Sequence, residues 1–195
     1  GSSSEKAISS GQADASNGRF SGEWRDCYAG IKTCHTFLEN VDRVPNMDEA
    51  LKTRMKAEAR FIRAYLYFRL TTWFGDVPLF DHDLNLSESK SIARTAQAQV
   101  LAFVRSELDA VTEILPAKEK YTDADKGRIT SGAAVALKAR TYLYSSDWAN
   151  VVTTCEKLIN TDTYGKYSLF SSYEGLFLPA NEFNSEVILD LDYVP

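Results

Sequence analysis

Two histidines, three cysteines and a few close carboxylate pairs are the residues of this 195-residue chain that could carry chemistry. Their types and spacing do not assemble a catalytic group. Neither His35 nor His82 has a nucleophile or a paired carboxylate at a spacing that general-base or nucleophilic catalysis uses. His82 stands between Asp81 and Asp83 and reads as a solvated loop residue. Cys27 and Cys34 are seven apart on one helical pattern, which puts their Cα atoms about 10 Å apart at ~1.5 Å per residue, too far for a disulfide. With His35 they lack the fourth ligand and paired spacing of a zinc site, so they and Cys155 read as small apolar side chains. Asp123 with Asp125, and Asp190 with Asp192, have the type to hold a cation, yet they read as a wet loop and the wet face of a strand. Gly127 to Gly132 lacks the Lys-Ser/Thr of a phosphate-binding loop. The expectation is a chain with no catalytic, cofactor or metal residues, hence not an enzyme.

What the sequence does hold in excess is rings: ten Tyr, ten Phe and three Trp. Flat rings bind sugars and other amphipathic ligands by stacking on their apolar faces, while neighbouring polar groups fix the hydroxyls. Trp24, Tyr65, Phe68, Trp73, Tyr142 and Trp148 fall on helical stripes and read as packing residues. Tyr121, Tyr164, Tyr167 and Tyr173 fall off any helical period. They are the candidate ligand-binding residues.

The elements that must position those tyrosines are helices. A stripe of Trp24, Tyr28, Ile31, His35 and Leu38 predicts a helix over Phe20 to Val41. A short turn to Pro45 then predicts an antiparallel neighbour. That neighbour is a long helix. Asn46 with Glu49 reads as its capping box, and Leu51, Met55, Ala59, Ile62, Leu66 and Leu70 read as one apolar row beside a second, Phe61, Ala64, Phe68 and Trp73. Two rows predict cover on more than one side, and Gly75 with Pro78 predicts a stop near Phe74. Asp81 to Lys90 reads as an exposed loop, and a third helix is expected from Thr95 to Leu115 with a solvated polar face of Arg105, Glu107, Asp109 and Glu113. Ala117 to Gly127 reads as a surface loop. Thr130 caps a helix to Tyr144, and Asp147 turns the chain into a last helix to about Asn160. This pair looks like a tetratricopeptide-type hairpin, which needs a stacked neighbour to bury its apolar face. Toward the end, Glu186 to Val194 reads as a strand, its second half alternating apolar and acidic residues as a strand with one wet face does.

Composition narrows the partners. With 22 basic against 27 acidic residues and a net charge of −5, no Lys/Arg block tracks a phosphate backbone, so nucleic acid is not expected. No run of eighteen apolar residues spans a membrane as a helix. Residues 1–19, rich in Ser, Gly, Ala and Asn, read as an irregular lead-in to a single domain over 20–195.

Four stretches in order carry a resemblance: EARFIRAYLYFRLTTWFGDVPLF (Glu58 to Phe80), SELDAVTEILP (Ser106 to Pro116), GRITSGAAVALKARTYLYSSDWANV (Gly127 to Val151) and NEFNSEVILDLDY (Asn181 to Tyr193). Together they resemble the SusD/RagB-like nutrient-binding lipoproteins of the bacterial outer membrane. The resemblance implies a mostly α fold of tetratricopeptide-like hairpins with long loops and a small β element near the C-terminal end. It also implies non-enzymatic capture of glycan at the extracellular face, for uptake through a SusC-like TonB-dependent transporter. A peptide-binding branch, or a helical scaffold that binds only a protein partner, is the alternative. Membrane attachment is expected only through an N-terminal lipid anchor not present in this chain, which is expected to be incomplete at its C-terminus.

Overall fold

The computed structural model describes residues 3–190. Among the described residues seven α-helices follow one another, and the only β pairing is a single antiparallel bridge between Val77 and Thr95. The first helix, α1 (Ser3–Ser9), corrects the irregular lead-in expected for residues 1–19. Its Ser-rich sequence has no apolar stripe, which is why no period was visible there.

Asn17 caps α2 (Gly18–Asn40), its side chain accepting from the Arg19 N–H at 2.9 Å. The start of α3 (Glu49–Phe74) differs from expectation: Asp48 is the cap, accepting from Leu51 N–H at 2.7 Å, while Asn46 lies outside the helix at φ 56°. Asn is one of the few residues that tolerates this left-handed region, so it makes the turn and leaves the cap to Asp48. The stop is where the pattern puts it. Gly75 takes φ 68°, its N–H donates to Thr71 O, and the Thr71 hydroxyl donates to Gly75 O at 2.8 Å.

Beyond the stop, the acidic stretch expected as loop contains α4 (Leu86–Ser91), a short exposed helix closed by a capping box between Asn85 and Glu88. Then α5 (Gln97–Thr112), α6 (Ser131–Tyr144) and α7 (Trp148–Ile159) complete the array. Successive long helices pack pairwise: α2 on α3, α3 on α5, α5 on α6, α6 on α7. The core runs through Ile31, Phe61, Tyr67, Leu70, Val104, Leu108 and Ala134, all 5% exposed or less. In α3 the row Phe61, Ala64 and Phe68 is buried, but Leu51, Ile62 and Trp73 are 38–43% exposed. Helices α2 and α5 cover two sides of α3 and leave this edge open to solvent. Trp148, also expected in packing, is 61% exposed.

The polar face of α5 needs the largest correction. Glu107 is 8% exposed. It takes both Arg60 (3.1 and 2.7 Å) and Arg63 (2.5 Å) from α3, and Arg63 in turn donates to His35 Nδ1 of α2 at 3.2 Å. One carboxylate thus ties three helices together. Burial alone would push the Glu107 carboxyl up, but the hydrogen bonds and charges of Arg60 and Arg63 outweigh it and hold it below the usual carboxylate range. Arg105 of the same face clasps α6, donating to Thr141 Oγ1, Thr141 O and Ser145 Oγ at 2.7–3.0 Å.

His35 is 1% exposed and its Nε2 has no hydrogen-bond partner. Burial, then the adjacent Arg63 charge, lower its pKa below the ordinary 6.5. The unfolded imidazole therefore takes up a proton at a pH where the folded one resists it, so stability is present above about pH 6.5 and falls as pH drops below that value. Melting temperature followed from pH 7.5 to 5 should show this fall. In His35→Gln, which keeps an acceptor for Arg63, the fall should be shallower.

At the chain's end, the described part of the expected strand, residues 186–190, is irregular, and residues 191–194 lie outside the described residues.

Candidate functional site

The four candidate tyrosines sit around the loop between α5 and α6 and in the segment after α7. The loop is pinned to α3 by two carboxylate–guanidinium forks: Arg54 donates to Asp125 at 3.1 and 3.3 Å, and Arg128 to Glu58 at 2.9 and 2.5 Å. Bidentate pairs fix orientation as well as distance. Between these forks Tyr121 donates its hydroxyl to Ile129 O at 2.8 Å and carries the Arg54 guanidinium 5.4 Å above its ring. Burial, then the nearby Glu58 charge, push its phenol up to about 12, so it is a neutral donor at any working pH.

Tyr121 lines a cavity of about 250 Å³ together with Lys118, Gly127, Arg128 and Thr130 of the loop between α5 and α6 and Phe183, Val187, Ile188 and Asp190 of the segment after α7. Its lining combines apolar side chains with charges of both signs. Thr130 joins this cavity to the next two tyrosines. Its hydroxyl lies 3.5 Å from the Tyr167 hydroxyl, which is also 3.5 Å from Tyr164 O, and Ser131 donates to Tyr164 O at 3.4 Å. Burial raises the pKa of Tyr167 too. Gly132 is what admits the pair. A Cβ there would stand 2.2 Å from the Tyr167 hydroxyl and 2.7 Å from Tyr164 O. On its other flank Tyr167 faces an apolar groove of about 490 Å³ lined by Ala136, Ala139, Cys155, Leu158 and Leu169.

Tyr121, Tyr164 and Tyr167 are therefore gathered at the N-terminal end of α6. Tyr173 is not brought to them; it is 83% exposed and pairs edge-on with Phe177 at 5.4 Å. Sequence reasoning missed Lys118. Its ammonium donates to Asn184 O at 2.5 Å and Val187 O at 2.9 Å and lies 5.8 Å from the Tyr167 ring centre. Burial lowers its pKa. No pattern marks such a lysine, because its partners are main-chain carbonyls 66 and 69 positions away. Lys118→Met, which keeps the stem and removes the charge, should leave those carbonyls unpaired at a local cost of about 1–3 kcal/mol. Faster amide exchange over residues 184–190, with the helices unaffected, is the expected readout.

The protein family described as "Starch-binding associating with outer membrane" (SusD-like) matches residues 2–143. A SusD-like protein of Formosa agariphila is 31% identical over 170 residues, which is 87% of this chain and 31% of that protein. Among solved structures, a SusD-like protein of Bacteroides fragilis superposes with a TM-score of 0.84 at 30% identity, covering 94% of this chain and 36% of the other. A laminarin-binding SusD-like protein gives 0.78 at 31% identity, covering 86% and 36%. The chain thus spans about a third of the length of the relatives it matches. The family match runs over most of the chain, and the superpositions carry the helical array with it: this chain belongs to the SusD-like family.

Proposed function

We propose that this chain is part of a non-enzymatic glycan-binding protein at the outer face of the bacterial outer membrane, one that passes oligo- or polysaccharide to a SusC-like TonB-dependent transporter. The observation that carries the reading is the gathering of Tyr121, Tyr164 and Tyr167 around Thr130, beside a cavity whose lining combines apolar side chains with charges of both signs. Such a lining suits a sugar, whose ring has an apolar face and a polar edge. Tyr173, largely exposed and paired with Phe177, is proposed as a peripheral contact. The family description names starch, and one structural relative binds laminarin, so neutral glucans are the first ligands to try. No helix among the described residues is long and apolar enough to cross a membrane, and attachment is proposed through a lipid on a preceding segment.

Affinity electrophoresis through gels containing starch, laminarin or other neutral glycans tests this. Retardation by at least one, reduced in Tyr121→Ala, is expected. No retardation by any glycan, together with binding of peptides in a parallel titration, would replace the glycan reading with a peptide-binding one.

A further inference from the structure

The open edge of α3 is not used by the cavity at α6, yet it carries a ladder of rings and guanidinium groups. Tyr65, half-buried against the core, Arg69 and Trp73 follow one another at four-residue steps, on one face of the helix. Trp73 is 40% exposed and meets Phe20 of α2 edge-on at 5.9 Å. The Arg19 guanidinium lies 6.0 Å from the Trp73 ring centre, and that of Arg69 lies 5.8 Å from Tyr65.

Charge is unbalanced here. Arg19 and Arg69 share one carboxylate, the buried Glu23, with Arg19 only loosely paired at 3.7 Å. Two guanidiniums bring ten N–H donors to one carboxylate, and both side chains keep solvent access, at 50% and 36%. Asp76, just beyond the end of α3, accepts from Gln97 N–H at 2.9 Å. A local cationic excess thus sits between two rings, on a chain whose net charge is −5.

We propose that this edge is a second glycan-binding surface, selective for sugars bearing carboxylate or sulfate groups. The rings of Trp73 and Tyr65 stack on sugar faces while Arg19 and Arg69 take the anionic groups, the planar fork being matched to such oxyanions. Tyr65 and Trp73 are eight residues apart, about 12 Å along the helix, so a ligand that touches both is an oligosaccharide. The inference rests on glycan binding as the function but uses a surface separate from the tyrosine cavity.

The test is affinity electrophoresis of the 195-residue chain through polygalacturonate, a carrageenan and laminarin, with Trp73→Ala and Arg19→Gln compared against wild type and checked for unchanged helicity. The carboxylated and sulfated gels distinguish which anionic group is preferred. Retardation by one or both acidic polymers is expected, falling up to about tenfold in each variant, the scale of a ring contact. Retardation by laminarin should not change. Trp73→Ala alters no charge, so its loss of retardation cannot come from non-specific attraction. The proposal is overturned if neither acidic polymer retards the wild type, if both variants run as the wild type does, or if the variants lose laminarin binding equally. Laminarin binding without acidic-polymer binding leaves the tyrosine cavity standing and removes only this surface.

Discussion

Replacing Glu107 with Gln is expected to lower folding stability by about 3–5 kcal/mol, because it leaves the buried Arg63 and the half-buried Arg60 without their shared counter-charge. Glu107 is the only carboxylate that Arg60 and Arg63 reach among the described residues, and its side chain is 10% exposed. In a chain of this size that loss corresponds to a fall in Tm of about 6–20 °C. Asp109 on the same helix is the control. It pairs with Lys138 but is 61% exposed, so Asp109→Asn should cost about 1 kcal/mol or less. The pH dependence follows from the same geometry. The folded carboxyl titrates below its unfolded value, so the folded state gains stability above the unfolded pKa and loses it as pH falls through the folded one. Glu107→Gln should flatten that acidic limb as well as lower the whole curve. Differential scanning calorimetry from pH 7 to 3 reads both effects.

Gly132→Ala is the second large expectation, and here two effects oppose each other. In the first turn of α6 alanine is the better helix former by up to about 1 kcal/mol, so an unobstructed helix would gain. The added methyl would instead meet a backbone oxygen, that of Tyr164 at 2.7 Å, as well as the Tyr167 hydroxyl at 2.2 Å. A backbone atom cannot rotate aside as a side chain can. Overpacking of this kind costs about 1–3 kcal/mol, which exceeds the propensity gain. The segment from Tyr164 to Tyr167 should therefore lift from α6. Two tyrosines would leave the candidate site while the helical array stays folded. Expected are faster amide exchange at residues 164–168, a modest loss of Tm and loss of glycan retardation. An alanine variant with unchanged exchange would mean that Gly132 does not set the position of this segment.

The parts of the fold that could be read in the sequence are those decided by local chemistry. Gly75 and Pro78 end α3 because one accepts positive φ and the other cannot continue a helix, and Thr130 and Asp147 cap α6 and α7 with their own side chains. Asn46 misled because it has a cap's chemistry and spacing, yet the turn needed its tolerance of positive φ. Glu107 was hidden for another reason. Its partners are 44 and 47 positions away, so helical period alone showed a polar residue on a polar face. Trp73 and Trp148 have core periodicity, but period does not reveal how many neighbours a helix will have.

The candidate site shows the same division. Tyr121, Tyr164, Tyr167 and Tyr173 were equivalent in sequence, all off-period and near turn residues. Only tertiary structure separates the three gathered at Thr130 from the one paired with Phe177. The tight approach at Gly132 and the Lys118 clamp join segments more than thirty residues apart, and no local signal foreshadows either.

On the proposed function, the surface at the N-terminal end of α6 binds a neutral glycan. Titration calorimetry of the 195-residue chain with maltooligosaccharides and laminarin oligosaccharides, repeated with Tyr121→Ala and with Trp73→Ala, addresses it most directly. Saturable heat is expected with at least one ligand, lost or weakened in Tyr121→Ala and unchanged in Trp73→Ala. No heat with either sugar series, or binding indifferent to Tyr121, would contradict it.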